Sequence, residues 1–147
     1  FASGRVLRVD HIKQEITDDD ASSASPVDSP SDLQEKREAV EAQLIDYVAS
    51  QYVKDTAIVN VNTKGDTLVI LISGEKLNLK NYWGGRWQTK FVLDLGSKTI
   101  DGFVKIRIHY FEDGNVQMTT EKSVDGVKIS FSDAESLGNA AKTAVST

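Results

Sequence analysis

Side chains able to do chemistry are sparse in this chain and poorly spaced for it. There is no cysteine and there are only two histidines, His11 and His109, so disulfides, thiol nucleophiles and thiolate metal sites are excluded. Neither histidine stands in a His-Glu-x-x-His run, and the chain has no Walker phosphate loop, no Gly-x-Gly-x-x-Gly and no Gly-x-Ser-x-Gly elbow. Glu112-Asp113-Gly114-Asn115 sets acids beside a glycine, but a calcium loop needs oxygen ligands at alternating positions and a glutamate at its twelfth. That alternation is missing, and the four residues read as a turn. His109, alone on a strand pattern, reads as an ordinary hydrogen-bonded side chain. These residues point to binding rather than catalysis, with no cofactor and no metal expected.

A second group carries contact chemistry instead. Tyr82, Trp83 and Trp87 lie within six residues, separated by Gly84-Gly85 and joined by Arg86, and aromatic side chains supply large contact areas at interfaces. Basic and aromatic residues together also suit single-stranded nucleic acid, but the repeated aromatics of RNA-binding sheets are missing and the chain is acidic. No nucleic-acid partner is expected. We read the tryptophans as closing one end of the core, with Arg86 over one of them and Gly84-Gly85 allowing a sharp bend before the next strand.

Charge is distributed unevenly. Formal net charge is −5, yet residues 80–110 hold six cations against two anions, while residues 1–79 hold eight against fourteen and residues 111–147 three against six. The aromatic middle is the only basic part. It suits an acidic partner or a phosphoinositide headgroup, although cations spread over strands more commonly form a solvated outer face. At 147 residues the chain suits one domain, able to bury about 68–70% of its unfolded surface. Its longest apolar run, Leu68 to Ile72, is far shorter than the ~20 residues of a membrane helix, so no transmembrane segment is expected.

The elements that must position these residues follow from periodicity. Gly4–Ile12 reads as a short strand region within residues 1–17, and residues 18–32 as an acidic Ser/Pro linker too poor in apolar matter to pack. A body follows over 33–147. Ser31 and Gln34 form a capping box for a helix over about Asp32–Val53, with Leu33, Val40, Leu44, Tyr47, Val48 and Tyr52 as its apolar stripe. Strands are expected at Ala57–Asn62, Thr67–Ser73, Arg86–Leu95, Gly102–Phe111 and Asn115–Ser123, with a sixth piece at Val127–Phe131. The breaks between them are too short for parallel crossovers. Lys64-Gly65-Asp66, Gly96-Ser97, Asp113-Gly114 and Asp125-Gly126 mark reversals. Ser132 and Glu135 open a second helix that is cut off in mid-pattern. The fold class is α+β: an antiparallel meander of five to six strands, a helix on one face and a C-terminal helix.

Two segments carry a family resemblance. His109-Tyr110-Phe111-Glu112-Asp113-Gly114-Asn115-Val116 resembles the His-Tyr-Tyr/Phe-Glu-Asp-Gly-Asn-Val signature of the F-actin capping protein α subunit. Asn81-Tyr82-Trp83-Gly84-Gly85-Arg86-Trp87 is similar to the Asn-Phe/Tyr-Trp-x-Gly-Arg-Trp segment of the same family, in the same order along the chain. The resemblance implies the central body of such a subunit, without its N-terminal stalk or its basic C-terminal arm. It further implies a heterodimer with a homologous β subunit, steric blocking of subunit exchange at F-actin barbed ends, and residence in the cytoplasmic actin cytoskeleton. Regulatory peptides and phosphoinositides are further partners it suggests. The alternative is a scaffold of the same fold in a larger cytoskeletal assembly, without free capping activity. Val127, Ile129 and Phe131, with the helix after Ser132, are the candidate subunit interface.

Overall fold

The computed structural model describes residues 8–10, 15–17, 31–53, 56–112 and 114–146. They fall into two units, residues 1–30 and 31–147. In the first, β1 (Arg8–Asp10) pairs antiparallel with β2 (Glu15–Thr17), Val9 facing Ile16 in the register. Of the expected Gly4–Ile12 strand region, only Arg8–Asp10 lies within the described residues, and positions 18–30 of the expected linker lie outside them.

The second unit opens with α1 (Ser31–Gln51), so Ser31 and Asp32 belong to the helix rather than to a linker. Leu33, Val40, Leu44 and Val48 are buried along one stripe, the spacing of a helix that lies on a sheet. Arg37 is buried on the same stripe, its stem packed and its guanidinium led outward to Glu41 Oε2 at 2.6 Å. Gln34 does not turn back to cap the helix. Its Oε1 accepts from Arg37 Nε at 3.2 Å and its Nε2 donates to Glu38 at 2.7 Å.

Five antiparallel strands follow in chain order: β3 (Ala57–Lys64), β4 (Thr67–Asn78), β5 (Trp83–Asp94), β6 (Thr99–Tyr110) and β7 (Val116–Lys128). Alternation sorts each strand between two faces. Val61, Ile70 and Phe91 share one row of the register, and Leu68, Leu93 and Ile100 another, and all six are buried beneath the helices. Both β3 and β7 are edges, but β3 packs against α1, whereas β7 is exposed at every position but Val124.

The expected sixth strand does not exist. Asp125-Gly126 does not reverse the chain but makes a bulge within β7, where the pairing slips by one residue between Ile100 opposite Val127 and Gly102 opposite Val124. Gly126 takes a φ of 60° and its N–H donates to Asp101 Oδ1 at 2.5 Å. That φ suits a glycine, and the carboxylate satisfies an amide that the bulge removes from the ladder. Val127 and Lys128 therefore finish β7. Ile129 is 8% exposed and joins the core, and its N–H donates to the Lys98 carbonyl at 3.0 Å.

The last element, α2 (Ala134–Ser146), packs against α1. Its cap is one residue later than the sequence suggests: Ser136 N–H donates to Asp133 Oδ1 at 2.8 Å while Asp133 N–H donates back to Ser136 Oγ at 3.1 Å. This reciprocal pair satisfies two amides the helix leaves orphaned. Leu137 and Ala141 are fully buried, and a Cβ built on Gly138 meets the Ala39 carbonyl oxygen at 2.8 Å. Helix propensity is sacrificed at Gly138 so that two helix backbones can approach.

Candidate functional site: the aromatic end of the sheet

The two signature segments, far apart in sequence, meet at one end of the sheet. Residues 79–82 join β4 to β5 and residues 111–115 join β6 to β7, and the register brings the two connections side by side. Tyr82 sits at φ 60° and Asn115 at φ 48°, left-handed conformations that for a tyrosine are uncommon and are fixed here by contacts. The Tyr82 carbonyl accepts the Phe111 N–H at 3.0 Å, and the two rings meet edge to face at 5.7 Å. Trp83 lies opposite Tyr110 with ring centroids 4.8 Å apart. Phe111 also contacts His109 at 5.6 Å.

A polar frame holds these rings. Asn115 Oδ1 lies 2.6 Å from His109 Nε2 and accepts from Gln117 Nε2 at 3.3 Å. The Tyr110 hydroxyl donates to the Glu112 carboxylate. That hydrogen bond, reinforced by partial desolvation and the negative charge of Glu112, raises the Tyr110 pKa above the ordinary tyrosine value. Gly114 is exposed, and Asp113 lies outside the described residues. Among the described residues no three acids or histidines converge on a possible metal position. The cluster offers ring faces and edges with polar tips, the equipment of a contact surface.

The tryptophans part company. Trp87 is half-buried and meets Tyr52, just past α1, edge to face at 5.9 Å. Trp83 is 47% exposed and belongs to the sheet end rather than to the core. Gly84 and Gly85 are regular strand residues, and the sharp change expected of them falls on Tyr82. Gly85 faces the Trp87 ring, where a Cβ would meet it at 3.4 Å. Arg86 covers neither tryptophan: it alternates to the opposite face and pairs with Glu75 at 2.9 Å. Asn81 Oδ1 accepts the Trp83 N–H at 3.4 Å. Glu75 and Tyr52 were invisible as partners in the sequence, since only the β4–β5 register and the helix packing bring them in. Of the candidate interface residues, Val127 is 39% exposed, Phe131 is half-buried under Lys98, whose Nζ lies 4.7 Å from the ring centre, and Ile129 is in the core.

Comparison with known proteins agrees with this geometry. The family model of the F-actin capping protein alpha subunit matches residues 1–147. The F-actin-capping protein subunit alpha of Kluyveromyces lactis is 33% identical over 84% of this chain and 45% of its own length, and that of Candida glabrata 27% identical over 86% and 46%. That of Chaetomium thermophilum is 42% identical over a shorter stretch, 39% of this chain and 21% of its own. The structure of a homodimeric actin capping protein alpha subunit from Plasmodium berghei superposes with a TM-score of 0.71 at 23% identity, over 95% of this chain and 53% of that one. This chain thus spans about half the length of those of its relatives that match most of it. With the fold, the paired signatures and a family match from end to end, the chain belongs to the F-actin capping protein alpha subunit family.

Proposed function

We propose that this chain is the sheet-bearing body of a capping protein α subunit, a non-catalytic, cytoplasmic component of the actin cytoskeleton. It pairs with a β subunit, and the heterodimer occupies F-actin barbed ends and blocks subunit exchange by steric occupation. The single observation that carries the reading is the family match over residues 1–147. The open edge of β7 supports the pairing. Thirteen residues of strand with unsatisfied N–H and C=O groups on one side are a template for another chain, and a homologous sheet is the occupant of matching geometry. We assign the seam to the length of β7, with Val127 at its end, rather than to Val127–Phe131.

Co-expression with a capping protein β subunit tests this. The expected result is a stable one-to-one complex, while residues 1–147 alone leave the elongation of filament seeds at barbed ends almost unchanged. A chain that stays monomeric beside excess β subunit overturns the heterodimer reading, and potent barbed-end block by the chain alone overturns the view that this body needs its partner.

A further inference from the structure

The sheet has a second face that neither helix covers, and its residues follow from the register. Arg86 stands beside Arg107, Gln88 beside Lys105, and Lys90 between Leu71 and Phe103. Four cations thus surround Gln88 at the middle of the face, with neighbouring strands about 4.8 Å apart. The carboxylates of this face are already engaged: Glu75 with Arg86, Glu121 with Lys105 at 3.7 Å, Asp101 with the Gly126 amide and Asp94 with the Ser97 amide. Lys90 and Arg107 have no ion-pair or hydrogen-bond partner among the described residues.

The same face carries apolar side chains that a solvated sheet would not. Leu68 to Ile72 is apolar throughout, so Val69 and Leu71 point away from the helices while Leu68, Ile70 and Ile72 point toward them. Val92 lies beside Val69, Phe103 beyond Lys90, and Ile58 is 70% exposed. Continuous apolar strands belong to sheets covered on both faces. Between these groups runs a trough of about 700 Å³ lined by Ile58, Leu71, Lys90, Phe103, Lys105 and Arg107 among others. Its lining reaches from β3 to Glu121 on β7, five strands that span about 19 Å, wide enough for one helix of 10–12 Å diameter.

We propose that this trough binds an acidic amphipathic helix of a partner protein, its apolar stripe over Ile58, Leu71 and Phe103 and its carboxylates on Lys90 and Arg107. Charge complementarity selects that occupant: the trough is lined by three cations and one carboxylate, Glu121, which pairs with Lys105, so Lys90 and Arg107 are left without an ion-pair partner among the described residues. The site is on the opposite face from the helices, and Lys90 and Arg107 stand on β5 and β6, inward of the β7 edge.

A phage-displayed library of random 18-residue peptides, selected on the immobilised 147-residue chain, provides the probe, and enriched sequences are synthesised and titrated by fluorescence anisotropy. Expected are peptides with Asp or Glu flanking apolar residues at three and four spacing, whose affinity falls with salt and drops at least tenfold in Lys90→Glu/Arg107→Glu. Lys142→Glu makes the same type of charge change on α2, on the helix side of the sheet, and should leave affinity unchanged. Thermal melting monitors folding, and if the double variant fails to fold, Lys90→Gln and Arg107→Gln singly replace it, each expected to weaken binding severalfold. Enriched peptides that are not acidic, or that bind the double variant as well as the parent, overturn the proposal. So does binding of phosphatidylserine vesicles through Lys90 and Arg107 with no peptide enriched, which makes the face a lipid surface. Concentration-dependent dimerisation abolished by the same substitutions overturns it too, by making the occupant a second copy of the chain.

Discussion

Among single residues, the two tryptophans of one signature test what that signature is for. Trp87 is half-buried on β5, edge to face with Tyr52 just past α1, so Trp87→Ala should cost about 3 kcal/mol, the lower end of the range for a buried aromatic. Trp83 is almost half exposed and stacks mainly on Tyr110. Its loss removes one aromatic pair, about 1 kcal/mol. Chemical denaturation of both variants measures the difference, and equal losses would contradict their separate placement. Tyr110 and Glu112 make a second test. Because the folded-state pKa of Tyr110 is raised, its contribution is fully present below the unfolded tyrosine pKa and is lost as pH rises through the higher folded value. Stability should therefore decline in alkali, and Glu112→Gln should shift the tyrosinate absorbance titration to lower pH. An unshifted titration would mean that this hydrogen bond does not hold the proton.

The elements were legible in the sequence wherever a two-residue or three-to-four-residue period was unbroken. β3, β4, β6 and α1 follow their apolar alternation closely, with boundaries displaced by a few residues where polar strand ends such as Glu75 and Lys76 remain paired. Failures came where one local signal has two physical meanings. Asp125-Gly126 suits a hairpin reversal and also a bulge, and only the Asp101 carboxylate 25 positions away decides for the bulge. Gly138 reads as a helix weakness until α1 is laid against it. There the loss is predictable: Gly138→Ala improves propensity yet drives a methyl into the Ala39 carbonyl, and overpacking of this kind costs about 1–3 kcal/mol. A thermal melt showing net stabilisation would refute the close approach. The α2 cap gives an acid-linked test. Backbone and side-chain hydrogen bonds from Ser136 hold the Asp133 carboxyl below its ordinary pKa, so its contribution is present above the unfolded aspartate pKa and lost as pH falls through the folded value. Asp133→Asn keeps a capping oxygen without the titration. It should melt near the parent temperature at pH 7 and lose less stability than the parent as pH falls below the unfolded aspartate pKa.

In the second unit taken whole, the helices cover one face of the sheet and leave β7 without a neighbour beyond it. Strands β4 and β5 are paired on both sides and carry most of the fully buried side chains of the sheet, so opening them requires disrupting the core. β7 is paired on one side only and has almost no buried residue. Local opening energies scale with such differences in burial and bonding. Hydrogen exchange on the chain alone should therefore be slowest in β4 and β5 and fastest, among the five strands, in β7. Adding the β subunit should slow residues 116–124 at least tenfold, because their outward amides acquire carbonyl partners, while β3 stays as it was. Protection that appears at Ala57–Lys64 instead would move the seam to the opposite edge, beside α1. The two outcomes also differ in geometry. A seam at β7 extends the sheet away from the helices and keeps the aromatic end of the sheet next to the join. A seam at β3 would put that end on the far side of the assembly, where the signature residues Trp83, Tyr110 and Asn115 would have no subunit to meet.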